Sequence, residues 1–246
     1  VIGGLLADRY LGMRKAVVLG GVLLVLGHLG MAFEGEQARL VDGVVVRDDA
    51  ALQVFYLSLA LIIMGVGFLK PNISTIVGRL YPPGDPRMDS GFTIFYAGIN
   101  VGALFASLVC GFLGETYGWK YGFGAAGIGM IAGLIMFLWG QKYLGDVAEP
   151  NDPQRLRAKI GPLSREWLIY IGSIGGVLLV WQLIQHTWTV HGAMHLIALA
   201  LAAWFVWFLV KKCSTVERGQ MISLVLLIFG VLIFFTLYEQ TYGSWV

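Results

Sequence analysis

The chain has 246 residues, 57% of them apolar and only 13% charged, with a mean hydropathy of +0.75. So much apolar surface cannot be buried in one compact core, which excludes a soluble globular fold. Disorder, a collagen-like chain and a disulfide scaffold are excluded by the 8 tryptophans, the aperiodic 34 glycines and the two cysteines. A net charge of +2 is too small for a nucleic-acid binder. The class that remains is an all-α multispanning membrane protein.

A spanning helix needs about 20 mostly apolar residues. A first fragment, 1–7, is too short and reads as the tail of a helix. Seven candidate spans follow, at 16–33, 52–69, 92–113, 121–140, 167–184, 193–210 and 221–238. The chain opens without an initiator Met or a signal pattern and stops at Gly243-Ser244-Trp245-Val246 without a polar tail, so an internal piece of a longer protein is expected. Cys110 lies in an apolar run and Cys213 in a basic loop, and no structural disulfide is expected.

Basic residues alternate between the connectors. The odd ones hold Arg9, Arg14, Lys15, Arg79, Arg87, Lys142, Arg155, Arg157, Lys159, Arg165, Lys211, Lys212 and Arg218, and the even ones only Arg39, Arg47 and Lys120. The positive-inside rule therefore puts the odd connectors, including loop 8–15 and linker 144–166, in the cytoplasm. The fifth connector, 141–166, is the longest and contains Pro150, Pro153 and Pro162. It reads as a linker between two membrane units, with a short amphipathic helix near 152–159.

Two ionisable residues extend apolar runs without an obvious loop around them. An intramembrane charge is costly and usually marks function. Lys70 precedes Pro71 in Gly65-Val-Gly-Phe-Leu-Lys70-Pro71-Asn72. In a helix from 52 to 80 it lies about 15 Å from the cytoplasmic end, near the bilayer centre. Pro71 frees a carbonyl one turn back, and Gly65 and Gly67 soften the same turns, as in the broken helices that hold transporter substrates. The bland alternative is a snorkelling lysine. Glu239 follows the last apolar run. It is either a carboxyl poised to load and release a proton or the water-facing end of its helix, and it is central only if the helix begins near Thr215 and is strongly tilted.

Asn100 is expected two turns into its helix with Tyr96 one turn back on the same face. An amide at that depth needs a helix or a ligand as partner. Both readings stand for Asn100, and packing is the stronger one for Tyr96. The Gly98-x-x-x-Gly102 spacing reads as a close-packing face. His191 and His195 are spaced i, i+4 but lack a further ligand, so interfacial histidines are expected rather than a metal site. His28 reads as a helix-packing residue. No catalytic constellation and no phosphate-cradling glycine loop is present, so an enzyme is not expected.

Four stretches together carry a family resemblance. Gly4-Leu-Leu-Ala-Asp8-Arg9-Tyr-Leu-Gly12-Met-Arg14-Lys15 resembles the loop motif of the major facilitator superfamily. The segment around Lys70-Pro71-Asn72 and Phe92-Thr-Ile-Phe-Tyr96-Ala-Gly98-Ile-Asn100 resemble signatures of the proton-dependent oligopeptide transporters. Tyr238-Glu239-Gln240-Thr-Tyr-Gly243-Ser244-Trp245 is similar to that family's seventh helix.

The resemblance implies a major facilitator fold running from the end of helix 2 into helix 7. Its parts would be 1–143 from the N-terminal bundle, a linker 144–166, an inserted helix pair 167–212 of the bacterial type, and helix 7 in 213–246. It implies proton-driven uptake of di- and tripeptides across a bacterial inner membrane. Lys70, Asn100 and Tyr96 would be substrate-binding residues, Lys70 and Glu239 proton-coupling residues, and Asp8 and Arg9 gating residues. The coupling ion is the proton, with no other cofactor. Peptide, protons, lipid, and the missing helix 1 and C-terminal bundle are the partners. The family's Glu-x-x-Glu-Arg motif and helix 10 acid lie outside this chain, so it should not transport alone. Two alternatives remain: a related facilitator for another small solute such as nitrate or a drug, and a non-transporting membrane scaffold.

Overall fold

The computed structural model describes residues 2–36, 38–150 and 152–240. Among them, seven helices are long and apolar enough to cross a membrane. The chain begins with α1 (Ile2–Leu6) and a π-helical turn (Ala7–Leu11), then α2 (Met13–Met31), α3 (Asp49–Arg79), α4 (Arg87–Tyr117) and α5 (Trp119–Gly140). After a one-turn α6 (Pro153–Arg157) come α7 (Arg165–Gln185), α8 (Thr187–Lys211) and α9 (Thr215–Gln240). The chain divides into two compact units between His186 and Thr187, a boundary that falls between α7 and α8.

Every expected span is present, but several helices overrun the apolar runs because capping, not hydropathy, sets their ends. Asp48 caps α3 by accepting a hydrogen bond from the Ala51 N–H at 3.1 Å, and its other oxygen accepts from the Glu36 N–H at 3.2 Å. These N–H groups hold the Asp48 carboxyl below the usual carboxylate range. At the start of α4, the Arg87 guanidinium does the same for Asp85.

The α2–α3 connector contains a hairpin that hydropathy did not reveal, β1 (Arg39–Val41) with β2 (Val44–Val46). Asp42 and Gly43 turn it, both at positive φ (52° and 79°), the backbone that an Asp-Gly pair adopts readily.

Small residues carry the α2–α3 contact. A Cβ on Gly20 would lie 2.7 Å from the Gly65 carbonyl oxygen, and one on Gly65 would lie 2.8 Å from that of Gly20. Between lipid-exposed helices such close backbone approach supplies the dispersion energy that the hydrophobic effect cannot. One core cluster joins Ala7, Leu11, Ala16, Leu23, Ala60, Phe68, Leu156 and Val177, and a second joins Met13, Val17, Ile76 and Ala148.

Pro71 does not break α3, which is continuous from Asp49 to Arg79. The likeness to a broken helix does not hold here, whereas the freed carbonyl one turn back does. Pro71 leaves the Gly67 carbonyl without an intrahelical donor, and Gly3 of α1 packs directly onto that oxygen.

In the second unit, Ser214 and Glu217 form a reciprocal capping box at the start of α9. The Arg218 guanidinium donates to the Leu209 and Val210 carbonyls, both at 2.7 Å, and so closes the end of α8.

Candidate functional site

Lys70 is exposed on α3. At about 100° per residue it lies roughly opposite Phe68 and Asn72, which are each only 2% exposed. Among the described residues its ammonium has no ion-pair partner. The buried Asn72 amide donates to the Phe68 carbonyl at 2.6 Å, so that polar group is satisfied within the helix.

Asn100 is exposed, and its amide donates to the Tyr96 carbonyl at 2.9 Å. The expectation of two turns is corrected: α4 starts at Arg87, which puts Asn100 about 20 Å along it. Lys70 lies about 14 Å before Arg79 at the end of α3. The two helices run back from a short turn at 80–86 and meet beside it, where a Cβ on Gly78 would touch Phe92 at 3.4 Å. Lys70 and Asn100 thus stand within ~6 Å of the same height. They make no direct contact among the described residues, and each is left available on its own helix. Tyr96 is 67% exposed and is not part of a packed face. Nothing described lies within 4 Å of a Cβ on Gly98 or Gly102, so the packing read from their spacing is not made here. α4 is anchored at its ends instead, by Phe92 near α3 and by Gly114 near Trp119 of α5.

Glu239 is the penultimate described residue of α9, which begins at Thr215, one of the two conditions for a deep placement, the other being a strong tilt. It lies about 27 Å beyond Met221, the first residue of the apolar run, close to the ~30 Å thickness of a bilayer core. Residues 241–246 of the seventh-helix motif lie outside the described residues.

Asp8 and Arg9 sit in the π-helical turn, and both are exposed. That turn leads into a clamp that sequence reasoning missed. Gly12 has φ 79°, and a Cβ there would lie 2.6 Å from the Pro150 nitrogen. The Arg14 N–H donates to the Ala148 carbonyl at 3.0 Å. Arg14 pairs with Glu149, and Lys15 with Glu166, each at 2.5 Å. Tyr170 donates to the same Glu166 oxygen at 3.0 Å.

Ala148 and Leu156 are 1% and 2% exposed. The 144–166 segment is therefore not a bare connector but is seated on loop 8–15. Its expected helix at 152–159 is one turn, ended by a two-residue ladder between Lys159–Ile160 and Leu163–Ser164 around Gly161 (φ 67°). The signal available in the sequence was the pair of apolar residues, Ala148 and Leu156, inside a polar stretch.

Burial of Leu156 is worth about 2–3 kcal/mol, more than the half-exposed ion pairs at about 0.2–1 kcal/mol each. In the full-length protein, Leu156→Ala is expected to accelerate trypsin cleavage at Arg155 and Arg157 at least about tenfold, read by limited proteolysis. An unchanged rate would mean that burial of Leu156 does not hold the segment.

His28 and His195 each meet a backbone carbonyl one turn back, that of Leu24 at 2.8 Å and that of His191 at 2.7 Å. Among the described residues there is no cluster of three or more His, Cys, Asp or Glu side chains suited to a metal ion.

The sequence model of the POT family (PTR2) matches residues 14–246. The chain belongs to the POT family. This POT-family chain is 36% identical over 246 residues to the uncharacterized transporter YclF of Bacillus subtilis (strain 168), covering 98% of itself and 46% of that relative. It is 31% identical over 247 residues to a di-/tripeptide transporter of Lactococcus lactis subsp. cremoris, covering 98% and 47%. A crystal structure of a mutant peptide transporter POT with alafosfalin superposes with a TM-score of 0.70 at 35% identity, over 97% of this chain and 46% of that one. Another, a POT family transporter with a thioalcohol-conjugated peptide, gives 0.68 at 30% identity, over 97% and 47%.

The POT-family chain spans about half the length of the curated relatives it matches. Its fold is all-α and multispanning, of the major facilitator type. It is a multi-pass membrane protein of a transporter family, not an enzyme.

Proposed function

We propose that the full-length protein carrying this chain is a proton-coupled symporter of di- and tripeptides that works by alternating access. One observation carries this reading: relatives named for di-/tripeptide transport match 98% of the chain, with the Lys70-Pro71-Asn72 and Gly98-Ile99-Asn100 motifs in place. Lys70 meets the peptide carboxylate, and Asn100, with Tyr96 beside it, hydrogen-bonds a peptide end or backbone. Glu239 carries the coupling proton together with Lys70, and its protonation breaks an ion pair and frees a gate. Asp8 and Arg9 act in the loop that gates the cytoplasmic side. Two bundles rock about the midplane site, driven by the exchange of ion pairs for substrate contacts.

In this reading 1–143 belongs to the N-terminal bundle, 144–166 is a cytoplasmic linker, 167–212 is the inserted pair of bacterial members, and 213–246 opens the C-terminal bundle. The membrane is the bacterial inner membrane, and loop 8–15 is cytoplasmic. No cofactor other than the coupling proton is required.

The test is uptake of a labelled dipeptide into proteoliposomes holding the full-length protein. Uptake is expected to rise several-fold with an inward proton gradient and to be competed by unlabelled di- and tripeptides. No peptide uptake by correctly folded protein would overturn the proposal.

A further inference from the structure

A cavity of about 980 Å³ lies between α1, α3 and α7, and none of the residues proposed for transport lines it. Its walls are apolar for most of their length, formed by residues such as Leu6, Met64, Phe68, Leu168 and Leu179. Only one end is charged, where Arg155 and Arg165 line it. Neither guanidinium has a carboxylate partner among the described residues, whereas nearby Arg14 and Lys15 each have one. Arg155 instead lies over the Tyr10 ring, 5.2 Å from its centroid.

The charged end sits at headgroup level. Arg165 opens α7, Ser164 caps it, and Trp167 and Tyr170 form an aromatic pair with centroids 5.9 Å apart one turn on. Aromatic pairs of this kind mark the membrane–water interface. From Arg165 to Val180 the lining of α7 rises about 22 Å, enough to cross the ~15 Å hydrocarbon half of one leaflet. Gly172 and Gly67 face open space and keep the wall thin.

We propose that this cavity is a binding site for one anionic phospholipid of the leaflet on the linker side. Its phosphodiester is held by Arg155 and Arg165, and an acyl chain lies between α3 and α7. The argument is charge complementarity. A phosphate accepts the planar guanidinium donors that no carboxylate takes, and basic pockets between membrane helices select anionic headgroups. The apolar length then selects a lipid over a free phosphate.

The experiment uses the full-length protein, delipidated in detergent and titrated separately with phosphatidylglycerol, phosphatidylethanolamine and inorganic phosphate, with bound ligand counted by native mass spectrometry. Phosphatidylglycerol is expected to bind at least about tenfold tighter than phosphatidylethanolamine. The double substitution Arg155→Gln with Arg165→Gln is expected to remove that preference. Gly172→Leu, which fills the apolar part without touching charge, is expected to weaken phosphatidylglycerol binding similarly. Gly172→Leu is expected to keep the wild-type thermal unfolding profile, because nothing described lies within 4 Å of a Cβ there, and the double substitution is expected to stay folded with at most the small loss of the Arg155–Tyr10 stacking contact. Equal phosphatidylglycerol binding by wild type and both variants would place the bound lipid elsewhere and would overturn the proposal. Inorganic phosphate binding as tightly as the lipid would overturn it too.

Discussion

Lys70→Ala in the full-length protein is expected to reduce gradient-driven dipeptide uptake by about tenfold to a hundredfold, the cost of losing a charged hydrogen-bond donor to a substrate carboxylate. The expectation rests on where the side chain sits. Lys70 projects from α3 away from the buried Phe68 and Asn72, without an ion-pair partner among the described residues and at nearly the height of Asn100. A cation left unneutralised within a spanning helix is costly unless a ligand or another helix meets it.

Lys70→Arg keeps the charge but changes its shape and protonation range. It is expected to retain peptide binding better than driven uptake, because coupling needs a group that can release its proton. The decisive comparison is exchange of labelled for unlabelled peptide without a gradient, set beside driven uptake. Wild-type driven uptake in Lys70→Ala would remove Lys70 from the mechanism while leaving family membership untouched. Loss of the folded protein in the same variant would be seen by size-exclusion chromatography and separated from a transport defect.

The second large effect concerns the fold. Gly65→Val is expected to lower stability by at least about 3 kcal/mol, beyond ordinary overpacking at about 1–3 kcal/mol, because the clash is with backbone. A Cβ at Gly65 would lie 2.8 Å from the Gly20 carbonyl oxygen and 3.0 Å from the Leu24 nitrogen, and no side-chain rotation relieves either contact. α2 and α3 would have to separate, taking the contacts of Leu24 and Leu69 with them. Thermal unfolding in detergent checks this, with Gly129→Ala as the reference. Nothing described lies within 4 Å of a Cβ at Gly129, so that variant should unfold at or slightly above the wild-type temperature. Wild-type stability in Gly65→Val would mean that the close crossing of α2 and α3 is not needed to hold the bundle.

Much of this architecture was legible before any coordinates. Spans are readable because a segment in lipid must satisfy its own backbone and face hydrocarbon with its own side chains, so about 20 local residues carry the whole signal. Lys70, Asn100 and Glu239 stood out for the related reason that polar groups are rare in such segments. Element ends were less legible. Asp48 and Asp85 lie in polar loops, and their capping and turn roles extend α3 and begin α4 beyond what hydropathy marks. The Asp42-Gly43 hairpin carried a local signal of its own, which a search for long apolar runs passes over.

By itself, then, the sequence determined the class of molecule, the number of spans and the family motifs, because each depends on composition or spacing within one segment. Only the tertiary structure decided what those segments meet. It seated Ala148 and Leu156 against loop 8–15, and joined Lys15 to Glu166 across 151 positions of chain. It let α3 pass unbroken through Pro71 with Gly3 against the freed carbonyl, and it left Gly98 and Gly102 without the neighbour their spacing suggested. Each of these outcomes depends on surfaces brought together from distant parts of the chain, and no local pattern of residues encodes the partner.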